Sequence, residues 1–302
     1  MPSLYTKARN NQYKSYFLLS LFFVLIVLAG WGLSYIYEDP FILYFAVFIS
    51  IVLTVFSYWN SDKLVLSFTK AKELKFEDNK EIYRLVENLC ITAGLPVPKI
   101  YIIEDNSPNA FATGRDKDHA VIALTTGIIN KLEKSELEGV IAHELSHIGN
   151  RDILLATLIT VLVGGIVMLA DYLRYASFFR GSDRKNSGWT GMILLVLIII
   201  APIFAYLLKF SISRQREYLA DADAALLTRY PEGLARALEK ISVDPLPVKT
   251  ANKSTAHLFI ASPLNKNLKQ GNAISRAFAT HPPISERVKR LRGIDIHREE
   301  IV

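Results

Sequence analysis

Cysteine is almost missing from this sequence: Cys90 is the one thiol in 302 residues. A lone thiol excludes an internal disulfide framework and a cysteine-based zinc knuckle. Charge is scarce too, at 21% of residues against 51% hydrophobic. It is absent altogether from four stretches, 16–37, 40–59, 153–170 and 189–208. So apolar a composition excludes a disordered chain and argues against a plain soluble enzyme. No internal repeat or low-complexity tract interrupts it. Lys+Arg exceed Asp+Glu by 35 to 29, a formal net charge of +6. Beside long apolar runs, so modest a surplus reads as membrane-adjacent charge, not as a nucleic-acid footprint, and no nucleic-acid partner is expected.

The first stretch, YFLLSLFFVLIVLAGWGLSYIY, is long enough to cross a hydrocarbon core about 30 Å thick. It lacks a small-residue cleavage site and is too long for a signal-peptide core. With 40–59, after only Glu38 and Asp39, it predicts a tight transmembrane hairpin, with Trp31, Tyr35, Tyr37, Tyr58 and Trp59 near the interfaces. Stretches 153–170 and 189–208 predict a second apolar hairpin, either spanning or re-entrant, although Gly164, Gly165 and Pro202 also suit buried helices of a soluble core. Lys7, Arg9 and Lys14 precede the first span, and Lys63, Lys70, Lys72 and Lys75 follow the second. These charges put residues 60–152 in the cytoplasm. Arg174, Arg180, Arg184 and Lys185 oppose that orientation, and a re-entrant second hairpin would remove the conflict.

Between the apolar pairs, 79–93 has the helical spacing Ile82, Leu85, Val86, Leu89, with Cys90 as a small core residue and Gly94 as the stop. Strands are expected at 99–104 and 120–124, with NAFATG (109–114) as an exposed edge segment. Ser135 and Glu138 read as a capping box opening a helix. Later helices are expected near 213–229, 232–241 and 282–292. The expected fold is a mainly α membrane protein, with four apolar helices and a cytoplasmic α+β catalytic domain holding a small sheet. Its parts are the hairpin 1–60, a first catalytic part 61–152, the apolar pair 153–212 and a second catalytic part 213–302.

The first catalytic part contains His143-Glu144-Leu145-Ser146-His147. Histidines four apart share a helix face and can converge on one metal, and Glu144 can reach a water there as general base. Two ordinary surface histidines would give the same letters. A catalytic zinc needs a third protein ligand, and Glu217 suits it. Asp221, one turn on, suits a carboxylate that accepts a ligand histidine's free N–H. By themselves these two acids would equally make a solvated helix face with Arg214 and Arg216. His147 precedes the second apolar pair and Glu217 follows it, so that pair must return the chain to the same side.

Several blocks, AGLPVPKIYIIED, NAFATGRD, LEGVIAHELSHIGNRDIL, SRQREYLADADAA, ANKSTAHLFI and THPPISERVKRL, resemble in order those of the HtpX-type membrane zinc metallopeptidases. These enzymes are relatives of the CAAX prenyl endopeptidases. The resemblance spans nearly the whole chain. It implies a gluzincin-type site, one Zn²⁺ per chain with Glu217 as third ligand, and ATP-independent cleavage of misfolded or damaged membrane proteins. It also implies a multi-pass protein of the cell membrane with its site on the cytoplasmic side.

The resemblance further implies that a substrate adds as a β-strand to the 109–113 segment, with Asn109 and Ala112 fixing its register. The same residues would serve an ordinary edge strand. His281 and Arg287 could stabilise an oxyanion or anchor substrate carbonyls. Alternatively, His-Pro-Pro is a rigid turn and Arg287 lies on a helix surface. His119, His257 and His297 fall outside any ligand spacing and receive no role. Two other functions fit parts of the pattern: a processing endopeptidase for prenylated or other specific substrates, and a non-enzymatic metal-binding membrane regulator. A transporter does not, since segments one, two and four hold no ionisable residue in their cores.

Overall fold

The computed structural model describes residues 4–161, 214–244, 246–251, 255–261, 263 and 281–294. Two long helices lead the chain, α1 (Leu4–Tyr37) and α2 (Pro40–Thr69). The Asp39 side chain caps α2 at Phe41 N–H, and Pro40 suits the first helical position, where no amide donor is needed. Within these helices, Tyr13–Tyr35 and Pro40–Thr69 are long and apolar enough to cross a membrane. Phe17, Leu28, Trp31, Phe41, Phe45 and Phe48 stand exposed on them, a surface that suits lipid and not water. The second apolar pair is described only over 153–161, which is helical (α6); the remainder of 153–170, and all of 189–208, fall outside the described residues. Leu154, Leu155, Leu158 and Ile159 of α6 pack on Leu18 and Leu19 of α1.

The catalytic part is helical around a small mixed sheet. Strands β1 (Lys72–Glu73), β2 (Lys99–Ile103), β3 (Ala110–Gly114) and β4 (Ala120–Thr125) take the order β1-β2-β4-β3. Only β2 and β4 run parallel. At the β3–β4 turn Gly114 has φ +140, and a Cβ there would come within 2.4 Å of the His119 carbonyl oxygen. Between β1 and β2 lies α3 (Lys80–Ala93), capped by Asn79 and stopped by Gly94 in the left-handed conformation. Cys90 is fully buried on it.

After α4 (Thr126–Lys131) comes α5 (Lys134–Gly149). Its capping box uses Glu133 and Glu136, two residues ahead of the expected Ser135 and Glu138. The buried Glu136 carboxylate also binds Lys240, which fixes this earlier start. Helices α7 (Arg214–Thr228), α8 (Pro231–Val243) and α9 (Ile284–Arg292) complete the described elements. α5 crosses α8 closely at Gly139, where a Cβ would lie 2.7 Å from Leu234 N. One sheet face and α3, α5, α7 and α8 enclose the main core; the other face meets Val65 of α2 and Val248, Leu258 and Phe259.

Candidate metal centre and cleft

His143 and His147 project from one face of α5, one turn apart, because the helix repeats every 3.6 residues. Their Nε2 atoms are 3.2 Å apart. Across from them α7 presents Glu217, whose carboxylate oxygens lie 3.7 Å from His147 Nε2 and 3.9 Å from His143 Nε2. Three donors held about 2.1 Å from one tetrahedral ion would be separated by about 3.4 Å. The three side chains therefore fit a divalent ion with little adjustment, and two imidazoles with a carboxylate suit zinc.

Each histidine is oriented through its other ring nitrogen. Asp221 Oδ1 lies 3.0 Å from His143 Nδ1, and Asp152 Oδ2 lies 3.2 Å from His147 Nδ1. Both carboxylates accept the ring N–H, leaving Nε2 for a metal. Asp221 is the acid that helical spacing after Glu217 singles out, whereas no spacing in the sequence singles out Asp152. It follows the end of α5, where Arg151 takes a left-handed φ of +56 and the Asp152 N–H returns to the His147 carbonyl. Helical spacing cannot signal that reversal. Replacing Asp152 with Asn should weaken zinc binding by about 10- to 100-fold without unfolding the protein, measured by chelator competition. An unchanged affinity would remove Asp152 from the centre.

Arg287 is fully buried behind these groups. Its Nε and Nη2 bind both Asp221 oxygens at 2.9 and 2.6 Å, and its Nη1 binds the Ile260 carbonyl. Its guanidinium thus ties α9 to α7 and lies against the metal cluster, 3.4 Å from the His143 ring nitrogens and 3.6 Å from Glu217 Oε2, so the surface position considered from the sequence does not hold. His281 takes the position facing the cleft. Its Nδ1 donates to Glu217 Oε2 at 2.9 Å, while its buried Nε2 has no partner among the described residues.

The cleft is lined by Ala112 and Glu144 on one side, with His257, Leu258 and Ile260 nearby, and by Arg216 and His281 across the histidines. Its empty volume is about 580 Å³ including open solvent. His257, given no role from the sequence, touches Thr160 Oγ1 and the Ala156 carbonyl, joining this wall to α6. β3 is the last strand of the sheet, yet it is buried along its length. Its unpaired edge is covered at both ends, with Ile260 N–H on the Ala110 carbonyl and Gly114 N–H on Thr157 Oγ1. Strand alternation puts the N–H and C=O of Ala112 on that edge, between the two covers. Asn109 faces elsewhere: its side-chain amide binds the Ala261 carbonyl and N–H.

The protonation of the centre follows from this packing. Burial raises the Glu144 carboxyl to about 7, although His147 favours its charged form. Burial would equally lower His147, but Asp152 and Glu217 outweigh it and raise that ring to about 9. Glu217 is opposed by burial, but His281 and Arg287 hold it well below the usual carboxylate range. Arg287 likewise overcomes burial at Asp221 and lowers it.

Comparison with known proteins places this geometry. The model of peptidase family M48 matches residues 77–295. A protein named "Protease HtpX homolog" from Dictyoglomus turgidum is 42% identical over 292 residues, 96% of this chain and 94% of that protein. One of the same name from Thermococcus sibiricus is 45% identical over 255 residues, 83% of this chain and 86% of that protein. The crystal structure of S. mikatae Ste24p aligns with a TM-score of 0.50 at 20% identity. That alignment covers 93% of this chain and 65% of the Ste24p chain, and it speaks for the fold alone.

Proposed function

This chain belongs to peptidase family M48 and is a membrane metallopeptidase, and from that premise we propose a zinc endopeptidase that cleaves cytoplasmic segments of misfolded or damaged membrane proteins. The observation that carries the proposal is the convergence of His143, His147 and Glu217 beside Glu144 in an open cleft. Zinc in that cluster would supply the Lewis acidity that polarises a scissile carbonyl and acidifies water.

The chain's own residues do the remainder. Ala112 offers its backbone C=O to an extended peptide added along β3, while its N–H meets the Glu144 carboxylate. The Glu144 carboxylate takes a proton from the attacking water and returns it to the departing amine. His281 lines the cleft, and in its doubly protonated form it keeps Nδ1–H on Glu217 and donates Nε2–H to the oxyanion as it develops. Asp221 and Asp152 orient the two ring ligands, and Arg287 balances the Asp221 charge in the interior. The metal-ligand candidates come from both expected catalytic parts, His143 and His147 from 61–152 and Glu217 from 213–302, which flank the apolar pair in the sequence. Basic residues in the first turns of α1 (Lys7, Arg9, Lys14) and around the end of α2 (Lys63, Lys70, Lys72, Lys75) support a cytoplasmic orientation for both.

Glu144 works only when ionised, so kcat/KM should rise with pH through its titration and fall below it. Burial sets that group near 7, and a nearby divalent cation favours its charged form, so the acidic limb should lie at or below pH 7. A pH–rate profile with a flat acidic side down to pH 4 would contradict the assignment. The substrate class is tested in liposomes carrying one membrane protein in a folded and a destabilised form. Preferential, zinc-dependent cleavage of the destabilised form is expected. Cleavage of a prenylated peptide with neither membrane protein cut would overturn the proposal in favour of a processing enzyme.

A further inference from the structure

Arg216 brings to the cleft a donor, Nη2, that neither the metal cluster nor its supports take up among the described residues. It precedes Glu217 on α7 and lines the cleft, with its side chain only 15% exposed. Its Nη1 reaches Asp152 Oδ1 at a long 3.4 Å, while its Nη2 is buried without an acceptor among the described residues. A buried guanidinium N–H without a partner is costly, and on a side chain that lines a substrate cleft it is satisfied once that side chain turns to meet an entering acceptor. Arg287, the cleft's other neighbouring arginine, has Nε, Nη1 and Nη2 all engaged.

We propose that Arg216 is a substrate-anchoring residue whose Nη2 donates to a main-chain carbonyl oxygen of the bound peptide. The inference rests on the endopeptidase reading of the site. The charge balance selects a neutral carbonyl over an acidic side chain. Arg287 offsets Asp221, and Arg216 offsets Asp152. The two charges of a divalent ion are matched by Glu217 and by Glu144 in its ionised, working form. The charge of Arg216 itself is already offset by Asp152, so its Nη2 brings no unmatched charge for a carboxylate, whereas a polarised N–H suits an amide oxygen. Such a contact is blind to side chains, as suits an enzyme that meets many unfolded sequences. It would also hold the peptide from the α7 side while Ala112 holds it from the β3 side.

The test uses the full-length protein in detergent with three peptides that differ only in an acidic, a neutral or a basic residue next to the scissile bond. Arg216→Ala should lower kcat/KM by about tenfold to a hundredfold, equally for all three. Arg216→Lys should recover part of that loss, since it restores an N–H donor without the planar fork. Zinc affinity, read by chelator competition, should stay at the wild-type value in both variants, unlike that of Asp152→Asn. A loss confined to the acidic peptide would overturn the carbonyl assignment. So would a fall in zinc affinity matching the fall in cleavage, which would make Arg216 merely a support for Asp152. Wild-type protein that cleaves none of the three would overturn the endopeptidase reading itself, and this inference with it.

Discussion

Glu144→Gln should bind zinc as the wild type does and lose about 10³-fold or more in kcat, within the range that a positioned general base contributes. Gln keeps the size and hydrogen-bonding reach of Glu but cannot accept a proton. Glu144 is buried between β3 and the histidines, with the Ala112 N–H facing its carboxylate, so the isosteric change leaves its surroundings in place. Neither ring nitrogen that faces Glu217 depends on Glu144, so metal content should be unchanged. The result is read as metal stoichiometry beside single-turnover rates. A Glu144→Gln protein retaining a tenth of wild-type turnover would remove this residue as the base.

Arg287→Met should be the most damaging substitution for the fold. Arg287 is 0% exposed, and Asp221 is 3% exposed. Removing the cation leaves an uncompensated carboxylate in the interior, with about 3–5 kcal/mol lost. For a catalytic part of this size that is a fall of about 10 °C in the unfolding midpoint. Arg287→Lys should restore little, because an ammonium cannot grip both Asp221 oxygens and the Ile260 carbonyl in one plane. Thermal unfolding of the zinc-free protein in detergent separates this effect from metal loss. A midpoint within 2 °C of wild type, a limit set at roughly 1 kcal/mol or less, would contradict the buried-anchor role.

The residues most legible in the sequence are those whose geometry is local. His143 and His147 must share a face of α5 at a spacing of four, and Glu217 and Asp221 share a face of α7 for the same reason. The helices and strands around them follow from apolar periodicity and from Asn79, Gly94 and Pro231 at their ends. What escaped depends on reversals and long-range packing. Asp152 reaches His147 only through the left-handed Arg151. β3 was expected as an exposed edge, but α6 and residues 255–261, distant in sequence, bury it and leave Ala112 between them. Arg216 read as a neighbour of two acids on a wet helix face, and His257 had no signal at all; both line the cleft. The relation of α9 to α7 was hidden as well, since nothing in THPPISERV announces that Arg287 turns inward to Asp221.

His143, His147 and Glu217 together define a metal-dependent peptidase centre. Its most direct test is proteolysis of an unfolded reporter such as casein by the detergent-purified protein, before chelation, after it, and after zinc is returned. In the wild type chelation should abolish cleavage and zinc should restore it, with none restored in His147→Ala. Cleavage that survives chelation, or that zinc restores equally in His147→Ala, would contradict it.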